Sequence, residues 1–233
     1  DVANPGINHK LFKPKKKEWY VLFMGRFARH KGVYDLLEAA KLLPEIKFKL
    51  VGWGEEEQSL RELATSNVEF YNYTFRSGKP FFDMYAHAAV LCQPSIAESF
   101  GFTIVEAMAS GCAIVSTVDL GYKGIVIAPN NPKGIAKAIR KLFTNKKKVL
   151  KMGKDNVKLA KKYNWDSFAK KLISIYEEVL SEKELQELLK LAYRKFYLRP
   201  KFIWEEIKKI RDFPSLQSHI RGGLKLLTPS KMK

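Results

Sequence analysis

The chain has 233 residues, 46% of them hydrophobic and 28% charged, with a formal net charge of +18. That length supports one substantial core with room for an appendage, and no apolar run approaches the ~20 residues a membrane-spanning helix needs. So basic a balance favours polyanions as partners, whether nucleic acid, an anionic membrane surface or phosphorylated ligands.

The sequence opens at Asp1 without an initiator methionine or a signal-peptide pattern, and so reads as a piece of a longer protein. WYVLFMG, from Trp19, is a short apolar run ending in glycine, and GVYDLLEAAKLL after it has apolar residues at helical spacing. IKFKLVGWG, from Ile46, alternates and stops at a glycine pair; EEEQSLRELA follows with acids where a helix dipole favours them. VEFYNYTF is a short strand and loop, PFFDMYAHA opens on proline as helices do, and AVLCQPS is strand-like. SFGFTIVEAMASG is helix-like, with Gly111 as its C-cap, and CAIVST is a further strand. Cys92 and Cys112, each inside an apolar stretch, fit two buried thiols in a reduced compartment; there is no metal-ligand spacing.

Strands alternating with helices of about ten residues imply right-handed βαβ units. The fold class is therefore α/β, a Rossmann-like parallel sheet with helices on both faces. Ligands in such sheets sit at the carboxyl ends of the strands. Gly25-Arg26, Gly52-Trp53-Gly54, Pro94-Ser95 and Ser116-Thr117 all follow strand ends. After GIVIAPNNP the chain turns helical and lysine-rich through about Leu180; a solvated lysine surface and a membrane-attracting one both fit. From Ser181 it becomes amphipathic, aromatic and basic. The expected division is a nucleotide-sugar-binding domain at 1–180 and a helical appendage at 181–233.

Two segments carry chemistry. In GRFARHKG, Gly25 ends a strand, and Arg26 and Lys31 put two cations beside the next helix N-terminus, an arrangement suited to a pyrophosphate. In PSIAESFGFTIVEAMASG, Glu98 lies in the turn after a strand and Glu106 in the following helix. Ser99, Phe100, Gly101 and Phe102 between them are expected to form that helix's first turn, whose free N–H groups can hold phosphate or sugar oxygens. Two carboxylates can serve acid/base hydrolysis, but a pair on one turn-helix unit flanks a glycosidic bond poorly. Binding of hydroxyls suits them better.

In order and spacing, GRFARHKG, VGWGEEEQSL and PSIAESFGFTIVEAMASGCAIVST resemble the family-4 retaining glycosyltransferases of GT-B architecture. The likeness runs from about Phe12 to about Leu180 and covers the carboxyl-terminal, donor-binding half. It implies transfer of a hexose from a nucleotide-diphosphate sugar to a glycan, lipid or small acceptor with retention. Arg26, Lys31 and Glu98 would be the catalytic residues. Arg26 and Lys31 would hold the diphosphate and stabilise it as it leaves, Glu98 the sugar hydroxyls, Glu106 the ribose, with backbone groups of Ser99 to Phe102 facing sugar and phosphates and Gly25 allowing close approach. Tyr73 is a candidate stacking partner for the base, though an ordinary core tyrosine fits as well. The resemblance demands neither a cofactor nor a metal ion.

The sequence departs from the family after VST, where TVDLGYKGIVIAP runs almost directly into the next strand. The amino-terminal acceptor domain that closes over the donor would be a partner lying before Asp1, so the fragment alone should transfer little. In the tail, Phe196, Tyr197, Phe202 and Trp204 interleave with Lys195, Arg199 and Lys201. They suit an interfacial helix on an anionic membrane surface, and equally an amphipathic helix packed on protein. Localisation is then cytoplasmic, with peripheral membrane contact through the tail. Nucleic acid is the weaker partner class, since no reader module is recognisable. The alternative function is a non-catalytic nucleotide-binding or membrane- or partner-anchoring module.

Overall fold

A computed structural model describes residues 5–72 and 78–179, together with residues 181, 183, 184, 187, 188 and 190–192. Tyr73 and the tail residues Lys195 to Trp204 lie outside the described residues. Residues 2–168 form one compact unit, and a second begins at Ala169.

The strands are β1 (Glu18–Met24), β2 (Lys47–Gly52), β3 (Val68–Asn72), β4 (Ala88–Gln93), β5 (Ala113–Ser116) and β6 (Gly124–Val126). They form one sheet in the order β3-β2-β1-β4-β5-β6, parallel at every pairing. Between them run α1 (Val33–Lys41), α2 (Glu57–Leu63), α3 (Lys79–His87) and α4 (Phe102–Ala109). The lysine-rich stretch resolves into α5 (Pro132–Phe143), α6 (Lys146–Ala160) and α7 (Trp165–Val179). The sheet and helices expected from the sequence are present, and the fold is α/β and Rossmann-like.

β1 shows why two helical layers are needed. Tyr20 to Met24 are all buried, and because side chains alternate across a strand, the run feeds two cores. Val21 and Phe23 pack with Leu36 and Leu37 of α1, Leu60 of α2 and Ile139 of α5. Tyr20, Leu22 and Met24 pack with Phe81 and Tyr85 of α3 and with Ile104 and Met108 of α4. Burial on both faces is what makes the strand a continuous apolar run rather than an alternating one.

Cys92 on β4 and Cys112 before β5 are both buried and free, as expected from their apolar surroundings. Burial raises both thiols above the ordinary range, with Lys17 pulling Cys112 partly back. Lys17 itself is turned inward, donating to the carbonyls of Ala86 and Ser110 at 2.9 and 2.7 Å. Gly111 lies one residue beyond the α4 C-cap, Ser110, in the left-handed conformation that ends helices.

Besides its ladder with β5, the short edge strand β6 has its entry fixed by one side chain. Fully buried Asn156 of α6 donates to the carbonyls of Cys112 (2.7 Å) and Lys123 (2.9 Å) and accepts from the Lys123 amide (2.6 Å). Asn156→Ala removes the partner of those backbone groups, the Cys112 carbonyl among them buried, and is expected to cost about 2–3 kcal/mol in urea denaturation. Asn156→Asp, which retains the acceptor but loses both donors and buries a charge, is expected to cost more.

Candidate functional site

The strand order reverses between β1 and β4, and loops leaving their carboxyl ends on either side of that point open a crevice. A backbone bond joins the two loops, the Ile96 N–H donating to the His30 carbonyl at 2.8 Å. Gly32, the N-cap of α1, has φ of 68°. A Cβ there would also stand 2.0 Å from the Pro94 carbonyl oxygen, so only glycine lets the loops approach. The sequence placed Lys31 at the start of α1. It ends a 3-10 turn, Arg29–Lys31, immediately before it, and the same packing drives its ammonium into the crevice.

The cleft holds about 310 Å³ and is lined by Gly25, Arg26, Lys31, Glu98, Ser99, Gly101 and Phe102 of the expected set. At its centre Lys31 Nζ lies 2.8 Å from Glu98 Oε1, and both side chains are largely shielded from solvent. The same oxygen accepts from Ser95 Oγ at 2.7 Å and from Gln93 Nε2 at 3.3 Å. Three donors thus fix one carboxylate oxygen, while Oε2 has no partner among the described residues. Gln93 Oε1 is buried without a partner among the described residues. Its Nε2 donates to Ser95 Oγ at 3.0 Å as well as to Glu98, tying the three side chains together.

Arg26 sits at the exposed rim. Its guanidinium pairs with Glu55 at 3.1 Å and lies 5.8 Å over the ring of Trp53. Pairs this exposed contribute at most about 1 kcal/mol, so Arg26 is free to turn to a better anion. Backbone bonding of Glu55 and then the guanidinium hold that carboxyl below its usual range.

One local expectation is corrected. Ser99, Phe100 and Gly101 are not the first turn of α4: they form a bend, and the helix begins at Phe102 with Gly101 as N-cap at φ 80°. A left-handed glycine cannot belong to the right-handed turn that follows it. The amides of Phe102 and Thr103 have no acceptor among the described residues, so the positive helix end still faces the cleft. Phe100 turns inward, edge-on to Phe102 (4.9 Å) and Tyr163 (5.7 Å), and lines no part of the cleft. Glu106 lies one turn further along α4 and does not line it either; its Oε2 accepts from Tyr85 Oη at 2.6 Å.

Gln93 and Trp53 are cleft residues that the sequence reading did not assign. Gln93 left a signal, a lone amide closing an otherwise apolar strand. Trp53 left one too, an aromatic between two glycines at a strand end. A double-mutant cycle tests the central pair. Lys31→Met and Glu98→Gln should each destabilise the fold, with a coupling of about 1–2 kcal/mol in chemical denaturation.

Residues 7–159 match the family model described as glycosyl transferases group 1. An uncharacterized glycosyltransferase of Methanocaldococcus jannaschii is 27% identical over 190 residues, 76% of this chain and 53% of that protein. The N,N'-diacetylbacillosaminyl-diphospho-undecaprenol alpha-1,3-N-acetylgalactosaminyltransferase of Campylobacter jejuni is 26% identical over 204 residues, covering 77% and 54%. The chain spans about half the length of these relatives. Among solved structures, Anabaena HepE in complex with UDP and glucose superposes with a TM-score of 0.64 over 74% of this chain and 55% of that one. At 19% identity this likeness speaks for the fold. With well over half of its length matched by the family model, the chain belongs to the group 1 glycosyl transferases.

Proposed function

We propose that this chain is the donor-binding half of a retaining, family-4-type glycosyltransferase. It would hold a nucleotide-diphosphate sugar in the cleft between the β1 and β4 loops. The observation that carries this reading is the Glu98 carboxylate, with one oxygen locked by Lys31, Ser95 and Gln93 and the other open to a hydroxyl. A fixed acceptor beside a cation and a helix N-terminus is what a sugar joined to a diphosphate requires.

In this assignment Lys31 and Arg26 bind the diphosphate, Arg26 after releasing Glu55. The amides of Phe102 and Thr103 and the α4 dipole add to the positive field. As the sugar–oxygen bond breaks, negative charge grows on the departing phosphate, and these groups stabilise it without reorganising. Glu98 orients the sugar, with Ser99 and Gly101 backbone beside it. Glu106, positioned by Tyr85, takes the ribose hydroxyls. Gly25, which lines the cleft, has φ of 159° and carries no side chain to stand between the backbone and a bound diphosphate.

Retention, and the need for an acceptor domain that closes over the donor, rest on the family resemblance. Closure completes such sites and excludes water, so the 233 residues alone would bind donor weakly and transfer slowly. The division into a donor domain at 1–180 and an appendage at 181–233 follows the change of composition at Ser181. A reduced, cytoplasmic setting fits the two free thiols.

Calorimetry against nucleoside diphosphates and their sugars tests the reading. Glu106→Ala should weaken free nucleotide and nucleotide sugar alike, by about tenfold, the loss of one charge-assisted contact. Glu98→Ala should spare the free diphosphate and weaken only the sugar-bearing form. If no nucleoside diphosphate or its sugar bound, the enzyme reading would fall. Binding of nucleotide alone, without discrimination by Glu98, would favour a non-catalytic module. Product from the chain joined to an acceptor domain should keep the donor's anomeric configuration by proton NMR.

A further inference from the structure

At the opposite end of the sheet, where the strands begin, a groove of about 760 Å³ runs between the segment leading into β1 and helix α6. Lys151, Lys154, Lys158 and Lys161 stand along its α6 side at spacings of three and four residues, which puts them on one face over about 15 Å. Lys16 faces them from the other side. None of these five forms an ion pair among the described residues. Asp155 is the one carboxylate among the lining residues. The groove's apolar lining is Pro14, Val157 and Trp19, with Leu150 44% exposed.

We infer that this groove is a docking surface for an anionic phospholipid bilayer, separate from the donor cleft. Lysine stems lie along apolar surface while their ammonium heads reach outward, which places the charges at headgroup level and Leu150 below it. Each lysine brought to an anionic leaflet adds to the attraction, and the row on α6 presents its charges on one plane.

The chemistry of the groove argues against other occupants. Its cations are all lysines, compact point charges without the planar fork of arginine, so they supply attraction to a charged surface rather than geometric readout. Its one aromatic, Trp19, is half-buried, edge-on to Phe143 at 6.0 Å with Lys146 Nζ 4.8 Å from its ring centre, and the groove has no row of exposed rings for successive bases. Residues 181–233 carry 13 basic and six acidic side chains, and a second copy of the chain carries another +18; both repel a lysine row. A bilayer supplies negative charge and hydrocarbon together.

The test uses the full chain and sedimentation with vesicles of phosphatidylcholine, alone or mixed in equal parts with phosphatidylglycerol. Binding is expected to the mixed vesicles only, and to vanish at 1 M salt, where screening shortens to about 3 Å. Replacing Lys151, Lys154, Lys158 and Lys161 together by glutamine should lower the partition constant by about tenfold or more. Leu150→Ser should lower it severalfold with the net charge unchanged. A control with glutamine at Lys195, Arg199, Lys201 and Lys209 removes as much charge from the tail and should retain most of the binding. Equal losses in the two quadruple variants, or a loss confined to the tail variant, would overturn the proposal. So would indifference to vesicles combined with groove-dependent binding of a single-stranded RNA oligonucleotide. Unchanged melting curves and an unchanged response to nucleoside diphosphate in the groove variant separate this outcome from misfolding and from failure of the donor assignment.

Discussion

The candidate site depends on the contact between two loops that leave the sheet in opposite directions. The Ile96–His30 backbone bond and the packing of Gly32 on Pro94 turn a gap between strands into a walled cleft. Without that contact Lys31 and Glu98 would belong to separate, solvated loops. With it they face each other at 2.8 Å, and the helix that begins at Phe102 is aimed at the same space. A local steric condition, the lack of a side chain at one residue, therefore fixes the electrostatics of the whole cleft.

Within the cleft the charges are matched rather than massed. Lys31 is paired with Glu98 and Arg26 with Glu55, one shielded and one exposed. The shielded pair defines geometry, because removing either member leaves a charge that solvent reaches poorly. The exposed pair is a resting place from which the guanidinium can leave at little cost. Much of the chain's positive excess stands elsewhere, on helix faces that point to water. Net charge alone, which first suggested polyanions in general, thus says little about the cleft and more about the far end of the sheet.

The layer order was readable because buried parallel strands leave continuous apolar runs, and WYVLFMG and AVLCQ have no other economical explanation. Glu98 was readable as a residue of the turn after a strand, and Lys31 as a cation near the start of the next helix. Two things were not. The start of α4 was placed three residues early, because SFGF continues the apolar spacing of the helix while Gly101 takes a left-handed angle that composition does not reveal. The three donors meeting on one oxygen of Glu98 were also invisible, since Lys31, Gln93 and Ser95 converge only when the β1 and β4 loops touch.

The two cysteines offer a different view of the same architecture. Thiolate, not thiol, reacts with electrophiles, and burial holds both groups in the thiol form. Neither can be modified until its surroundings open, so each reaction counts openings rather than contacts. Cys92 sits in the strand directly behind the cleft and Cys112 at the strand-start end, where it donates to the carbonyls of Tyr85 and Ala88. The molecule therefore carries two clocks, one at each end of its sheet, that keep separate time if the ends breathe independently and common time if the domain opens as one.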